Sequence, residues 1–185
     1  RLDDKPSYDL IDGTVYGRGQ WATSLRYRDG EFYAYFSPND TPFRGYVYKT
    51  KDPAEEWTLV ARIPHFHDAS LLFDDDGRVY MFYGSGQVRE LKPDLTDVMP
   101  GGVDARVFDR GDETGLLEGS RVIKHDGRYY VLMISWPAGG IRREVCYRAD
   151  NIMGPYEKRV VLESRFGPYG GVGQGAIVDD GHGNL

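Results

Sequence analysis

Apolar residues along this chain fall in short runs, as in Phe32 to Phe36 and Val79 to Tyr83, and convincing helical periodicity is absent. Gly, Asp, Asn and Pro punctuate the runs, so the pattern predicts many short strands joined by tight turns. Three segments share one plan. Trp21 to Arg28 leads through Asp29 and Gly30 into Glu31 to Phe36. Asp68 to Asp75 leads through Asp76 and Gly77 into Arg78 to Tyr83, and Glu118 to His125 leads through Asp126 and Gly127 into Arg128 to Met133. An Asp-Gly pair supplies the positive φ that a tight hairpin needs. A fourth segment starts at Gln174 and reaches Gly183, which stands at the turn position without an Asp before it.

The turn glycines Gly30, Gly77, Gly127 and Gly183 are separated by 47, 50 and 56 residues. A further strand follows each complete hairpin, in Gly45 to Asp52, Gln87 to Asp94 and Glu144 to Asp150. Repeats of about 40 to 50 residues with about four strands each are the signature of propeller blades. A β-sandwich also gives short strands, but not one order of elements repeated. The expected fold class is therefore all-β, a β-propeller. Residues 1–185 are expected to form a partial propeller domain of about three full blades plus the start of another.

In a propeller the innermost strand of each blade lines the central channel, so residues at matched places on those strands converge on the axis. Counting nine positions back from each turn glycine gives Trp21, Asp68, Glu118 and Gln174. Repeats ordinarily carry similar residues at matched positions. Here an aromatic, two carboxylates and an amide stand instead, which is the divergence an asymmetric active site produces. Glycoside hydrolysis uses two carboxyl groups flanking the bond, one of them protonated to help the leaving oxygen depart. A neighbouring carboxylate and partial burial raise the pKa of such an acid toward neutrality. The expectation is that Glu118 is the general acid, and that Asp68 raises its pKa and orients it.

Composition supports a sugar-binding site without requiring one. Fourteen Tyr, eight Phe and three Trp make up 14% of the chain, and flat aromatic surface beside placed polar groups suits a sugar ring. Tyr and Phe also simply fill strands. The net charge of -6 argues against a nucleic-acid partner, which needs a basic surface. No run of about 18 apolar residues predicts a membrane span. The single Cys146 excludes a disulfide framework within the chain.

Four motifs make the reading specific. His67 to Asp74, Leu117 to Ser120 and Gly173 to Asp179 look like motifs of glycoside hydrolase family 43, and Trp21 to Arg26 resembles its Trp-Ala-Pro-Ser segment with Thr23 in place of Pro. Ser120 likewise stands where the family often has Pro. The resemblance implies a five-bladed β-propeller with an inverting mechanism, acting as an arabinofuranosidase, β-xylosidase or arabinanase on pentose-containing oligo- or polysaccharides. It gives Asp68 the pKa-modulating role and Glu118 the acid role, and places Trp21 and Gln174 around the sugar; His67 is expected to line the pocket because it adjoins Asp68. It also implies that the first blade and most of the last are missing from this chain. The Asp that serves as general base has no counterpart here, so the 185-residue piece alone is expected to be inactive. No cofactor is required on this reading, although the complete enzyme could hold a structural calcium ion in its channel.

Other signals are set aside. His65 and His67 share one strand face, but no further zinc ligand follows at clear spacing, and no metal site is expected. Gly171 to Ala176 partly matches a dinucleotide-binding fingerprint but does not lead from a strand into a helix. Asp74, Asp75 and Asp76 read as turn chemistry, Asp52-Pro53 as an outer region, and Asp3, Asp4, Asp9 and Asp12 as a polar lead-in. Arg142, Arg143 and Arg159 read as solvated surface. Two competing functions stay open: a non-catalytic carbohydrate-binding propeller, which needs no carboxylate pair, and a fructan hydrolase of a related clan, which uses a retaining nucleophile. Carboxylate separation distinguishes retaining enzymes, at about 5 Å, from inverting ones, at ~6.5–9.5 Å.

Overall fold

The computed structural model describes residues 19–39, 42, 44–171, 173–178, 182 and 184. Within them lie twelve strands and no helix. The first antiparallel sheet holds β1 (Gln20–Arg28), β2 (Glu31–Pro38), β3 (Arg44–Thr50) and β4 (Thr58–Pro64), in that order. The second holds β5 (Ser70–Phe73), β6 (Val79–Tyr83), β7 (Gln87–Leu91) and β8 (Asp104–Arg106). The third holds β9 (Leu116–His125), β10 (Arg128–Trp136), β11 (Arg143–Ala149) and β12 (Glu157–Leu162). Each sheet is a simple meander, and the sheets meet through their first strands, β1 against β5 and β5 against β9. These are three blades of a partial β-propeller.

Two apolar layers glue the blades together. Tyr35, Val47 and Ile63 of the first sheet pack against Leu71, Val79, Met81 and Leu91 of the second. Tyr80, Phe82 and Val88 of the second sheet pack against Val122, Tyr129, Val131, Met133 and Tyr147 of the third. Strand β6 therefore sends alternate side chains into two different layers. That explains why Val79 to Phe82 are all buried and read as an unbroken apolar run.

The inner strands are stitched directly. The Ser24 hydroxyl accepts the Leu71 N–H at 3.0 Å, and the Ser70 hydroxyl accepts the Val122 N–H at 3.1 Å. Arg26 donates from Nε to the Leu71 carbonyl, and from Nη2 to the Ser70 hydroxyl and the Val122 carbonyl. One guanidinium thus ties three blades. Burial and the nearby Arg121 press its pKa down to about 10, so it stays charged at neutral pH.

The Asp-Gly turns form as expected at Asp29-Gly30 and Asp126-Gly127, with both residues of each pair at positive φ. The second hairpin differs. Asp74 pairs with Arg78 and the loop between them holds three residues, with only Gly77 left-handed. Asp74 itself is buried and reaches the third blade, accepting from Tyr129 Oη at 2.6 Å and pairing with Lys124 Nζ. It is more than a turn residue. Asp52 does lie in the exposed link between β3 and β4. Asp3, Asp4, Asp9, Asp12 and the fourth turn glycine Gly183 fall outside the described residues.

Candidate active site

Every inner strand carries a one-residue bulge at the same place. Pairing shifts by one residue between Trp21 and Ser24 in β1, and between Glu118 and Arg121 in β9. In the second sheet the Gly84 N–H donates to the His67 carbonyl, whereas Ser70 pairs with Phe82, so Asp68 and Ala69 form the bulge. The first bulge residue is left-handed in all three: Ala22 at φ 44°, Asp68 at 48° and Gly119 at 73°.

This geometry corrects the register read from the sequence. Counting back from the turn glycine fails in the second blade, because its hairpin loop is one residue longer. His67, not Asp68, is the structural counterpart of Trp21 and Glu118; Asp68 matches Ala22 and Gly119. The short polar side chain of Asp tolerates the left-handed backbone better than most residues.

Asp68 and Glu118 nevertheless meet. They wall one cavity of about 350 Å³ together with Trp21, Ala22, Leu116, Ile134, Arg142, Gly173 and Gln174. The Asp68 side chain is the deeper, 10% exposed against 34% for Glu118. His67 does not line this cavity; its Nε2 lies 3.3 Å from Glu118 Oε2 and 3.8 Å from Asp68 Oδ2. One nitrogen of His67 and one oxygen of each carboxylate lie within 4.8 Å of one another. His65 is not part of that group: its Nδ1 is 2.6 Å from the Ser37 hydroxyl. Trp21 is 44% exposed and offers an open ring at the rim. Gln174 packs on the bulge of β9, where a Cβ on Gly119 would lie 2.6 Å from Gln174 Nε2.

Two site features escaped the sequence reading. Glu144 on β11 is buried and accepts the Gly175 N–H at 3.2 Å, so it anchors the segment that carries Gln174. Burial pushes its carboxyl above the usual range, against the pull of that hydrogen bond and of Arg121. Arg142 and Arg143, read as solvated surface, do other work. Arg142 lines the cavity with its guanidinium 4.8 Å from the centre of the Trp136 ring. Arg143 pairs with the fully buried Glu113 at 2.8 Å and with Glu163 at 3.2 Å. Arg159 is exposed.

A channel calcium ion would need several oxygen ligands. Between the inner strands described here, the Leu71 and Val122 carbonyls and the Ser70 hydroxyl already accept from Arg26.

The sequence matches Glycosyl hydrolases family 43 over residues 6–185. The chain belongs to this family. A "Putative beta-xylosidase" of Xylanibacter ruminicola is 34% identical, over 97% of this chain and 34% of its own length. The "Extracellular endo-alpha-(1->5)-L-arabinanase 1" of Bacillus subtilis (strain 168) is 28% identical over 90% of the chain and 55% of its own length. A solved family 43 structure, described as an engineered enzyme with endo-xylanase and exo-arabinofuranosidase activity, superposes with a TM-score of 0.79. It is 31% identical, over 99% of this chain and 37% of that one. The chain thus spans about a third of the first relative and of this structure. The family 43 neighbours are five-bladed propellers, as the motifs imply.

Proposed function

We propose that this chain carries the acid half of a site that hydrolyses terminal α-L-arabinofuranosyl or β-D-xylosyl residues of pentose-containing polysaccharides, with inversion at the anomeric carbon. The observation that carries this reading is the meeting of Asp68 and Glu118 in one cavity with Trp21 and Gln174. Glu118, the more exposed carboxyl, donates the proton to the leaving oxygen. His67 Nε2, 3.3 Å from Glu118 Oε2, holds it in place, with the Asp68 carboxylate beside them. Trp21 stacks on the apolar face of the sugar and Gln174 bonds to its hydroxyls. The base that activates water comes from another part of the protein, because Asp68 stands too near Glu118 to leave room for a water between them.

In the full-length protein, Glu118→Gln should cut kcat on pentosides with poor leaving groups by about 10²–10⁴-fold, and much less on activated nitrophenyl pentosides. Asp68→Asn should lower the same rate by about 10²-fold while leaving the melting temperature unchanged. Undiminished turnover of poor substrates by Glu118→Gln would remove it from the mechanism. Binding of pentosides without any turnover by the wild type would favour the carbohydrate-binding propeller.

One observation favours a second reading. The Asp68–Glu118 separation, within 4.8 Å, is also close to that of a retaining pair, with Asp68 as nucleophile. The anomer of the first-formed product, followed by NMR, decides between the two: inversion supports Asp68 as an orienting carboxylate, retention makes it the nucleophile.

A further inference from the structure

Arg142 stands in the cavity. Its guanidinium carbon lies over the Trp136 ring, 4.8 Å from the ring centre, and Arg142 makes no ion pair or side-chain hydrogen bond among the described residues. A cation–π contact engages the charge with the ring and still leaves N–H donors of the guanidinium for a further partner. The chain has 29 acidic residues, and the next residue, Arg143, is paired with Glu113 and Glu163.

The position is also held firmly. The Arg142 N–H donates to the Gly170 carbonyl at 3.0 Å. Its backbone pairs with Gly171, where an added Cβ would come within 2.3 Å of the Arg142 carbonyl oxygen. Trp136 in turn donates from Nε1 to the Gly140 carbonyl at 3.1 Å, and its ring stays 46% exposed. A guanidinium set on a fixed platform loses little freedom on binding a ligand.

Depth locates the ligand. Asp68 is the more buried of the two carboxylates, Glu118 the less, and Arg142, which lines the same cavity, is exposed, as is the Trp136 ring beside it. A group bound there belongs to the part of the substrate beyond the sugar being cleaved. A neutral pentosyl unit asks for no fixed charge, whereas a planar fork matches a carboxylate with two parallel hydrogen bonds.

We propose that Arg142 is a specificity residue that binds the carboxylate of a uronic acid unit on the leaving-group side of a pentose-containing oligosaccharide. The proposal rests on the glycosidase reading for the identity of the sugar, and its test separates the two. The probes are an acidic xylo-oligosaccharide, with the uronic acid next to the cleaved residue, and the same molecule with its carboxyl reduced to the alcohol. Both are titrated into the full-length protein by calorimetry and assayed for hydrolysis.

The wild type should bind the acidic form about tenfold more tightly than the reduced form, the effect of one charge-assisted pair. Arg142→Met, which can still lie on Trp136, should bring that ratio to one, and Arg142→Lys should keep part of it. Raising the salt concentration should shrink it. A wild-type ratio of one, or a ratio unchanged in Arg142→Met, overturns the proposal whatever the turnover. Tight, Arg142-dependent binding of the acidic form without cleavage of either probe upholds Arg142 and overturns the hydrolase reading instead.

Discussion

Gly119 and Gln174 touch so closely that a methyl group on the glycine would lie 2.6 Å from the side-chain nitrogen of the glutamine. The glycine is the left-handed residue of the β9 bulge, next to the proposed acid Glu118. A candidate acid and a candidate sugar ligand from a different segment therefore share one backbone contact.

Replacing Gly119 with Ala should separate binding from stability. Ala22 holds the same left-handed place in β1, so Ala fits this bulge at a cost of about 1 kcal/mol. The clash falls on the mobile end of Gln174, which must swing away. Denaturant unfolding should show the small loss of stability. Sugar affinity should fall further than that loss explains, and a change in stability alone would detach Gln174 from the site.

Arg26 should matter to the fold more than its place on a blade suggests. Its removal takes a charged donor from the Leu71 and Val122 carbonyls and from the Ser70 hydroxyl, between three strands. Arg26→Met should cost about 3 kcal/mol in chemical denaturation. Arg26→Lys should recover little of this, because a single ammonium cannot span the same acceptors.

Asp74 gives a stability contribution with a defined pH dependence. Burial alone would raise its carboxyl, but bonds from Lys124, Tyr129 and the Asp75 N–H outweigh that and hold it below its usual value. A depressed acid contributes fully above its unfolded pKa of about 3.9, and the contribution is lost as pH falls through the lower folded value. Asp74→Asn should therefore be about 2 kcal/mol less stable than the wild type at pH 7. The gap should close at acid pH, and urea unfolding across that range tests the sign.

Much of the architecture was legible in the chain because it is local. Asp29-Gly30 and Asp126-Gly127 announce their hairpins through a φ requirement that involves only the pair itself. Short apolar runs bounded by turn residues mark the strands, and the recurrence of one order of elements marks the blades. The outermost strands β4, β8 and β12 were not singled out in this way; β12 is largely exposed, so its sequence carries little burial signal.

The site was legible in its residue types but not in its register. Asp68 and Glu118 were found, yet the extra loop residue before Gly77 hid the fact that His67 is the counterpart of Glu118. Arg142 and Glu144 were missed for a different reason. Nothing in their neighbours along the chain shows that one will lie on Trp136 at a cavity and the other will hold Gly175.

By itself the sequence determined what each short segment could do: which residues turn, which form strands, and which carry a proton or a charge. Only the tertiary structure decided which of those residues face one another. Turn and strand preferences act within a few residues, whereas a bulge, an inter-blade bond such as Arg26 to Val122, and a cavity shared by Trp21, Asp68 and Glu118 are set by packing between segments far apart in the chain.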